Sequence, residues 1–284
     1  MTDRPTERAL PAALAVAAAF AMPAALALPA ALALLALVAL EGPSAASAAE
    51  RYEGIAYVRG TDRIAYRETH WLFDRDGTRE RLVLYQCADR TAFGRKWVRE
   101  VPSAVAPDFD FEDARDGYRE GVRTEQGARL VYVRENARAA ERTRPLPASV
   151  DGVVDAGFDA FVREHWQDLV AGRDPRLDFL IPSRFEYLSF ALSALHDTTM
   201  DGEPARRFKL RLAGWYGFVL PGIDLTYDRD GRLMEFDGVG NVRDASGKNQ
   251  NVRIVFPAEA MRSNVPQSEI AHAGAEPLAS RCKP

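Results

Sequence analysis

The stretch WLFDRDGTRERLVLY, residues 71–85, decides the fold class. Two runs rich in aromatic and branched apolar side chains flank Asp74-Arg75-Asp76-Gly77. An Asp-Gly pair between such runs is the turn chemistry of a tight hairpin, with the glycine taking the positive φ that other residues resist. The same chemistry returns at 223–236, where Asp228-Arg229-Asp230-Gly231 joins Ile223-Asp224-Leu225-Thr226-Tyr227 to Arg232-Leu233-Met234-Glu235-Phe236. The two copies share a turn rather than forming a repeat. Neither is read as a calcium loop, because the glutamate that closes an EF-hand loop is missing from both.

Working outward, short strand-like runs fill 52–133, beginning with the alternating Ile55 and Tyr57. They resume at 177–181, 185–195, 205–213 and 252–256, punctuated by Asp201-Gly202 and Ser246-Gly247-Lys248-Asn249. Arg207-Phe208-Lys209-Leu210-Arg211-Leu212 puts every apolar residue on one face and every cation on the other, so its sheet has one wet face. A parallel sheet needs a helix after each strand, and that pattern is absent.

One segment breaks the period of two. Phe158, Phe161, Val162, Trp166, Leu169 and Val170 follow helical spacing, with Asp155 as the expected N-cap and Gly172 as the stop. The loop Arg144-Pro145-Leu146-Pro147 before it marks a crossing between halves of the sheet. The predicted fold is therefore mainly β, a large curled antiparallel sheet, or half-barrel, of about nine to eleven strands packed around one long amphipathic helix at 156–171. One domain is expected over 50–256, followed by a flexible tail at 257–284 rich in Ala, Pro, Ser and Glu.

Residues 1–48 read differently. Arg4 and Arg8 precede a stretch, 9–40, made only of Ala, Leu, Val, Phe, Met and Pro, and Gly42-Pro43-Ser44 then leads to Ala46-Ser47-Ala48. This is the order of a secretory signal cleaved after Ala48. The apolar stretch exceeds the usual core of about 7–15 residues, so an uncleaved anchor is the alternative, and the only membrane contact expected. Either way the rest of the chain is exported, to the periplasm or beyond. Much of the 47% hydrophobic content of the 284 residues thus belongs to a leader.

The two cysteines, Cys87 and Cys282, are an even pair compatible with one disulfide in an oxidising compartment, or with two free thiols. The 37 basic residues are interleaved with 41 acidic ones, so no basic field for nucleic acid builds up. No nucleophile, phosphate-loop or metal-ligand motif is present, and no cofactor is expected. His165 is an acid–base candidate beside Glu164, but it has no partner motif and reads as a boundary histidine. Asp108-Phe109-Asp110-Phe111-Glu112-Asp113 reads as an edge strand with charges outward, ahead of a cation or carboxylate-pair site. Tyr118 reads as a strand residue.

The aromatics suggest either a filled core or an apolar cavity. The candidate cavity residues are Phe158, Phe161, Trp166, Phe190, Trp215, Tyr216 and Phe218, with Gly214-Trp215-Tyr216-Gly217-Phe218 as its rim. An exported meander with an apolar helix and a closing hairpin at Asn241-Val242-Arg243-Asp244 and Asn251-Val252-Arg253-Ile254 resembles the periplasmic half-barrel proteins that include the lipoprotein carriers of the Lol pathway. It also resembles uncharacterised envelope proteins of that shape. The resemblance is architectural, spans roughly 50–256, and implies a concave apolar surface that holds acyl chains. No carrier residue is transferred, and without a cysteine near the cleavage site the lipid-anchored form is not expected. Three functions remain open, the first leading and the last trailing: a monomeric binding protein for an apolar or lipid-like ligand, a structural or interaction protein with a solid core, and a hydrolase using His165 with a nearby carboxylate.

Overall fold

The computed structural model describes residues 48–214, 222–244 and 246–283. The first meander comprises β1 (Glu50–Val58), β2 (Ile64–Arg75), β3 (Thr78–Gln86), β4 (Ala92–Arg99), β5 (Asp108–Asp113), β6 (Tyr118–Glu125), β7 (Ala128–Arg134) and β8 (Arg142–Pro145). The second begins with β9 (Gly152–Val153), passes through α1 (Gly157–Glu164) and α2 (Trp166–Val170), and continues as β10 (Arg176–Ile181), β11 (Glu186–Met200), β12 (Glu203–Leu212), β13 (Ile223–Asp228), β14 (Leu233–Arg243) and β15 (Asn249–Val255). A last helix, α3 (Gln267–Ala275), follows.

Among the described residues these strands form one sheet of fifteen, in the order β8-β7-β6-β5-β4-β3-β2-β1-β15-β14-β13-β12-β11-β10-β9. Each meander is locally paired, and the two are joined where β1 meets β15, with Ile55 opposite Val255 and Val58 opposite Val252. The chain does cross from one edge of the sheet to the other between β8 and β9, although Arg144 and Pro145 of the predicted loop belong to β8 and only Leu146 and Pro147 follow it. The sheet is curled but not closed. The 3-10 turn Pro182–Arg184 after β10 packs against β6 and β7, and Phe185 shares a buried cluster with Val122, Val131 and Val133.

Several expectations need correction. The strand count exceeds nine to eleven: fifteen segments pair, among them the short β8 and β9 in the stretch read as a loop and helix approach. The pairing is also not wholly antiparallel: β9 runs parallel to β10, the pair joined through the helices, as a crossover connection requires. The single long helix is two short ones, broken at His165, whose backbone leaves helical geometry at φ −96° and ψ 12°. Asp155 is not the N-cap. Ala156 holds that position, while Asp155 adopts φ 44° and turns its carboxylate to Lys96.

The acidic run at 108–113 is not an edge. It forms β5, paired on both sides, and its outward carboxylates meet cross-strand arginines: Asp108 with Arg129 at 2.9 Å and Asp110 with Arg119 at 2.7 Å. The cationic stripe of β12 is partly neutralised, with Lys209 against Asp224 at 2.7 Å.

Residues 257–283, expected as a flexible tail, contain α3, which packs against the sheet. Ile270 and Ala273 of α3 pack with Val265 on Trp71, Phe73, Leu82 and Leu84, the outer face of β2 and β3. Trp71 Nε1 donates to Glu269 at 3.0 Å. Beyond α3, Cys282 is joined by a disulfide to Cys87, with Cα atoms 5.5 Å apart. Strands β2 and β3 are thus apolar on both faces, one toward the curl and one toward α3. The DxDG turns adopt the conformation expected of them: Gly77 and Gly231 both have φ 75°.

Candidate functional site

Cross-strand register builds two unlike walls inside the curl. Over β1 to β6 one row reads Tyr52, His70, Val83, Lys96, Phe111, Glu120. From β1 across β15 to β11 a second row reads Ala56, Ile254, Phe236, Leu225, Phe208, Ala194, with no polar side chain in it. Between the walls lies a cavity of about 760 Å³. Its apolar lining includes Phe158, Phe179, Phe190, Leu210, Leu225, Phe236, Ile254 and Phe256, and its polar lining includes Glu68, His70, Arg81, Lys96, Glu120, Asp155 and Asp159.

The polar wall is a set of buried pairs. Lys96 Nζ donates to Asp155 Oδ1 at 2.7 Å, and the two side chains are only 7% and 10% exposed. The Lys96 ammonium also lies 5.8–6.0 Å from the ring centres of Tyr85, Phe109 and Phe111, which favour a cation over their faces. Glu68 Oε2 lies 2.9 Å from His70 Nε2, and the His70 ring stacks on Tyr52 at 4.5 Å. The Tyr118 hydroxyl donates to Glu120 at 2.6 Å. Asp159 of α1 faces Arg81 at 3.5 Å on one side and accepts from the Tyr227 hydroxyl at 3.2 Å on the other. Helix α1 is therefore tied to β3 of the polar wall and to β13 of the apolar wall.

Burial sets the protonation of this end. It lowers the His70 pKa against the opposing pull of Glu68, and raises that of Glu120. It pushes the Tyr52 phenol up to about 12. Among the described residues lining the cavity, two buried acceptor positions lack hydrogen-bond partners, His70 Nδ1 and Asp155 Oδ2. No group of three or more His, Cys, Asp or Glu side chains suited to a metal ion occurs among the described residues.

The candidates from sequence divide. Phe158 and Phe190 line the cavity. Phe161 is buried between α1 and the sheet, and Trp166 packs on Phe208 at 5.6 Å and Tyr227 at 6.4 Å, so neither is a cavity residue. Trp215, Tyr216 and Phe218 lie outside the described residues, as does the leader through Ser47; Ala48 itself is exposed. His165 sits off the cavity, 3.5 Å from Asp168 and 4.4 Å from the Phe161 ring. Reasoning from sequence missed the polar wall. Its signal was present as charges at alternate positions, Glu68 and His70 between Tyr66 and Leu72, all facing one way.

No family model and no curated protein matches this sequence. Two distant matches are found among solved structures. One is a beta-barrel-like protein of the domain of unknown function DUF1849 from Brucella abortus, 9% identical, with a TM-score of 0.44 over 76% of this chain and 98% of that one. Another is a putative outer membrane lipoprotein-sorting protein domain from Vibrio parahaemolyticus, 11% identical, with a TM-score of 0.26 over 78% of this chain and 88% of that one.

Proposed function

We propose that this chain is an exported monomeric binding protein, freed of residues 1–48 by cleavage after Ala48, that holds one apolar or lipid-like ligand between helix α1 and the sheet. The observation that carries the reading is the cavity of about 760 Å³ with a continuous apolar wall. Ligand pockets run to about 300–1,000 Å³ with mostly hydrophobic linings, and a solid core would leave no such space. The wall is strand-built, so it is in place before the ligand arrives. Phe190 sits on it only partly buried, which makes it a side chain that can be exchanged without opening the core.

Organic extraction of the gently purified protein, followed by mass spectrometry, tests this directly. About one chain-bearing molecule per protein is expected, and Phe190→Asp is expected to lose it while keeping the wild-type circular dichroism spectrum. Extracts that are empty, from a protein that also takes up no added apolar dye, contradict the reading.

A further inference from the structure

The reading above leaves the head of the ligand unspecified, and the charges of the polar wall bear on it. Four carboxyl groups, Glu68, Glu120, Asp155 and Asp159, line this part of the cavity against two cations, Arg81 and Lys96. Both cations are already engaged, Lys96 with Asp155 and Arg81 with Asp159. The other lining cations do not redress the balance. Arg243 is paired with Glu135 at 3.1 Å, Arg232 is paired with Asp228 at 3.1 Å, and Arg163 is exposed, as is the lining acid Asp230, while a further acid, Glu50, is half-buried. What is left over in the interior is negative charge.

The unmet hydrogen bonds have the same sign. Asp155 Oδ2 can only accept, and its side chain is nine-tenths buried. His70 Nδ1 is an acceptor when Nε2–H donates to Glu68, and that side chain is 9% exposed. Burial, and after it the Asp155 carboxylate, raise the Glu120 pKa against the Tyr118 hydrogen bond and the Lys96 and Arg243 charges, so that a cation arriving beside this carboxyl group favours its ionised form.

Resting on the binding function proposed above, we infer that the ligand is an amphiphile whose head carries a positively charged amine, seated among Glu68, Glu120 and Asp155, with its chain against Phe190, Leu225 and Phe236. An ammonium supplies hydrogen-bond donors and the missing charge together. A carboxylate or phosphate head would bring more negative charge to an end where, among the described residues, every buried lining cation is already paired.

The test is displacement of a fluorescent apolar dye from the purified protein at pH 7.5 by two probes with the same chain, dodecylamine and dodecanoate. Dodecylamine is expected to displace at least about tenfold more tightly, a difference of about 1.4 kcal/mol. Glu120→Gln, which keeps an acceptor for Tyr118, is expected to weaken dodecylamine several-fold and leave dodecanoate unweakened. Equal affinities, or tighter dodecanoate, overturn the inference about the head while leaving the binding function intact. Failure of the dye and of both probes to bind overturns the binding function itself.

Discussion

Breaking the Lys96–Asp155 pair one partner at a time, and then both together, probes the interior most sharply. The pair joins β4 to the residue that leads into α1, at 2.7 Å and almost out of contact with water. Asp155→Asn suits the site, because Asn tolerates the left-handed backbone at φ 44° as Asp does. It leaves the Lys96 ammonium buried among Tyr85, Phe109 and Phe111 without its counter-charge. Lys96→Met keeps an unbranched chain in the same aromatic slot but strands the Asp155 carboxylate, which already has one unpartnered oxygen. Removing one member of a buried ion pair costs about 3–5 kcal/mol, and the aromatic faces around Lys96 put Asp155→Asn at the lower end. For a domain of this size each kcal/mol moves the melting temperature by roughly 2–4 °C, so each single variant should melt roughly 6–20 °C below wild type. The double variant has no uncompensated charge and should recover more than half of that loss. Thermal unfolding followed by circular dichroism, with the four proteins closed into a double-mutant cycle, reads the coupling. Single variants within about 1 kcal/mol of wild type, or additive losses, would refute the claim that these charges are buried and mutually dependent.

Other perturbations have equally definite outcomes. Cys282→Ser opens a loop of sequence separation 195, worth up to about 5 kcal/mol in chain entropy, and the first consequence should be faster hydrogen exchange in α3. Exchange there unchanged from wild type would contradict the role given to the tether. A Cβ at Gly157 would lie 1.9 Å from the Val105 carbonyl oxygen, so Gly157→Ala should cost about 1–3 kcal/mol in urea unfolding and loosen the seating of α1. The raised pKa of Glu120 means the fold favours its protonated form, so its contribution is present below the ordinary glutamate pKa and is lost as pH rises through the folded value. Glu120→Gln should therefore gain stability relative to wild type as pH rises from 4 to 8, and a gain that shrinks over that range would falsify the assignment. His70 acts in the opposite sense: with its pKa lowered, its contribution is present above the ordinary histidine pKa and is lost as pH falls.

The hairpins were legible because Asp76-Gly77 and Asp230-Gly231 are local turn chemistry, independent of anything distant. The helical stripe was legible too, but not its break, since the spacing of Phe161, Trp166 and Leu169 survives the interruption at His165. The cavity was half legible for a physical reason. Alternation identifies the two faces of a strand, but in β2 and β3 both carry large apolar groups, and only the docking of α3 onto Trp71 and Leu84 reveals that the Glu68–His70 face looks inward. Helix α3 itself hid in an Ala-rich stretch with only Ile270 and Ala273 to bury. The Lys96–Asp155 contact spans 59 positions and depends on the whole curl, so no local pattern announced it.

Photo-crosslinking with a chain-diazirine amphiphile, read by peptide mass spectrometry, tests the central claim of an internal ligand site most directly. The account predicts adducts on β10 to β15, at Phe179, Phe190, Leu210, Leu225 and Phe236, competed away by unlabelled ligand and lost in Phe190→Asp. Adducts confined to the outer face, at α3 or the β12 cations, or spread without competition, would contradict it.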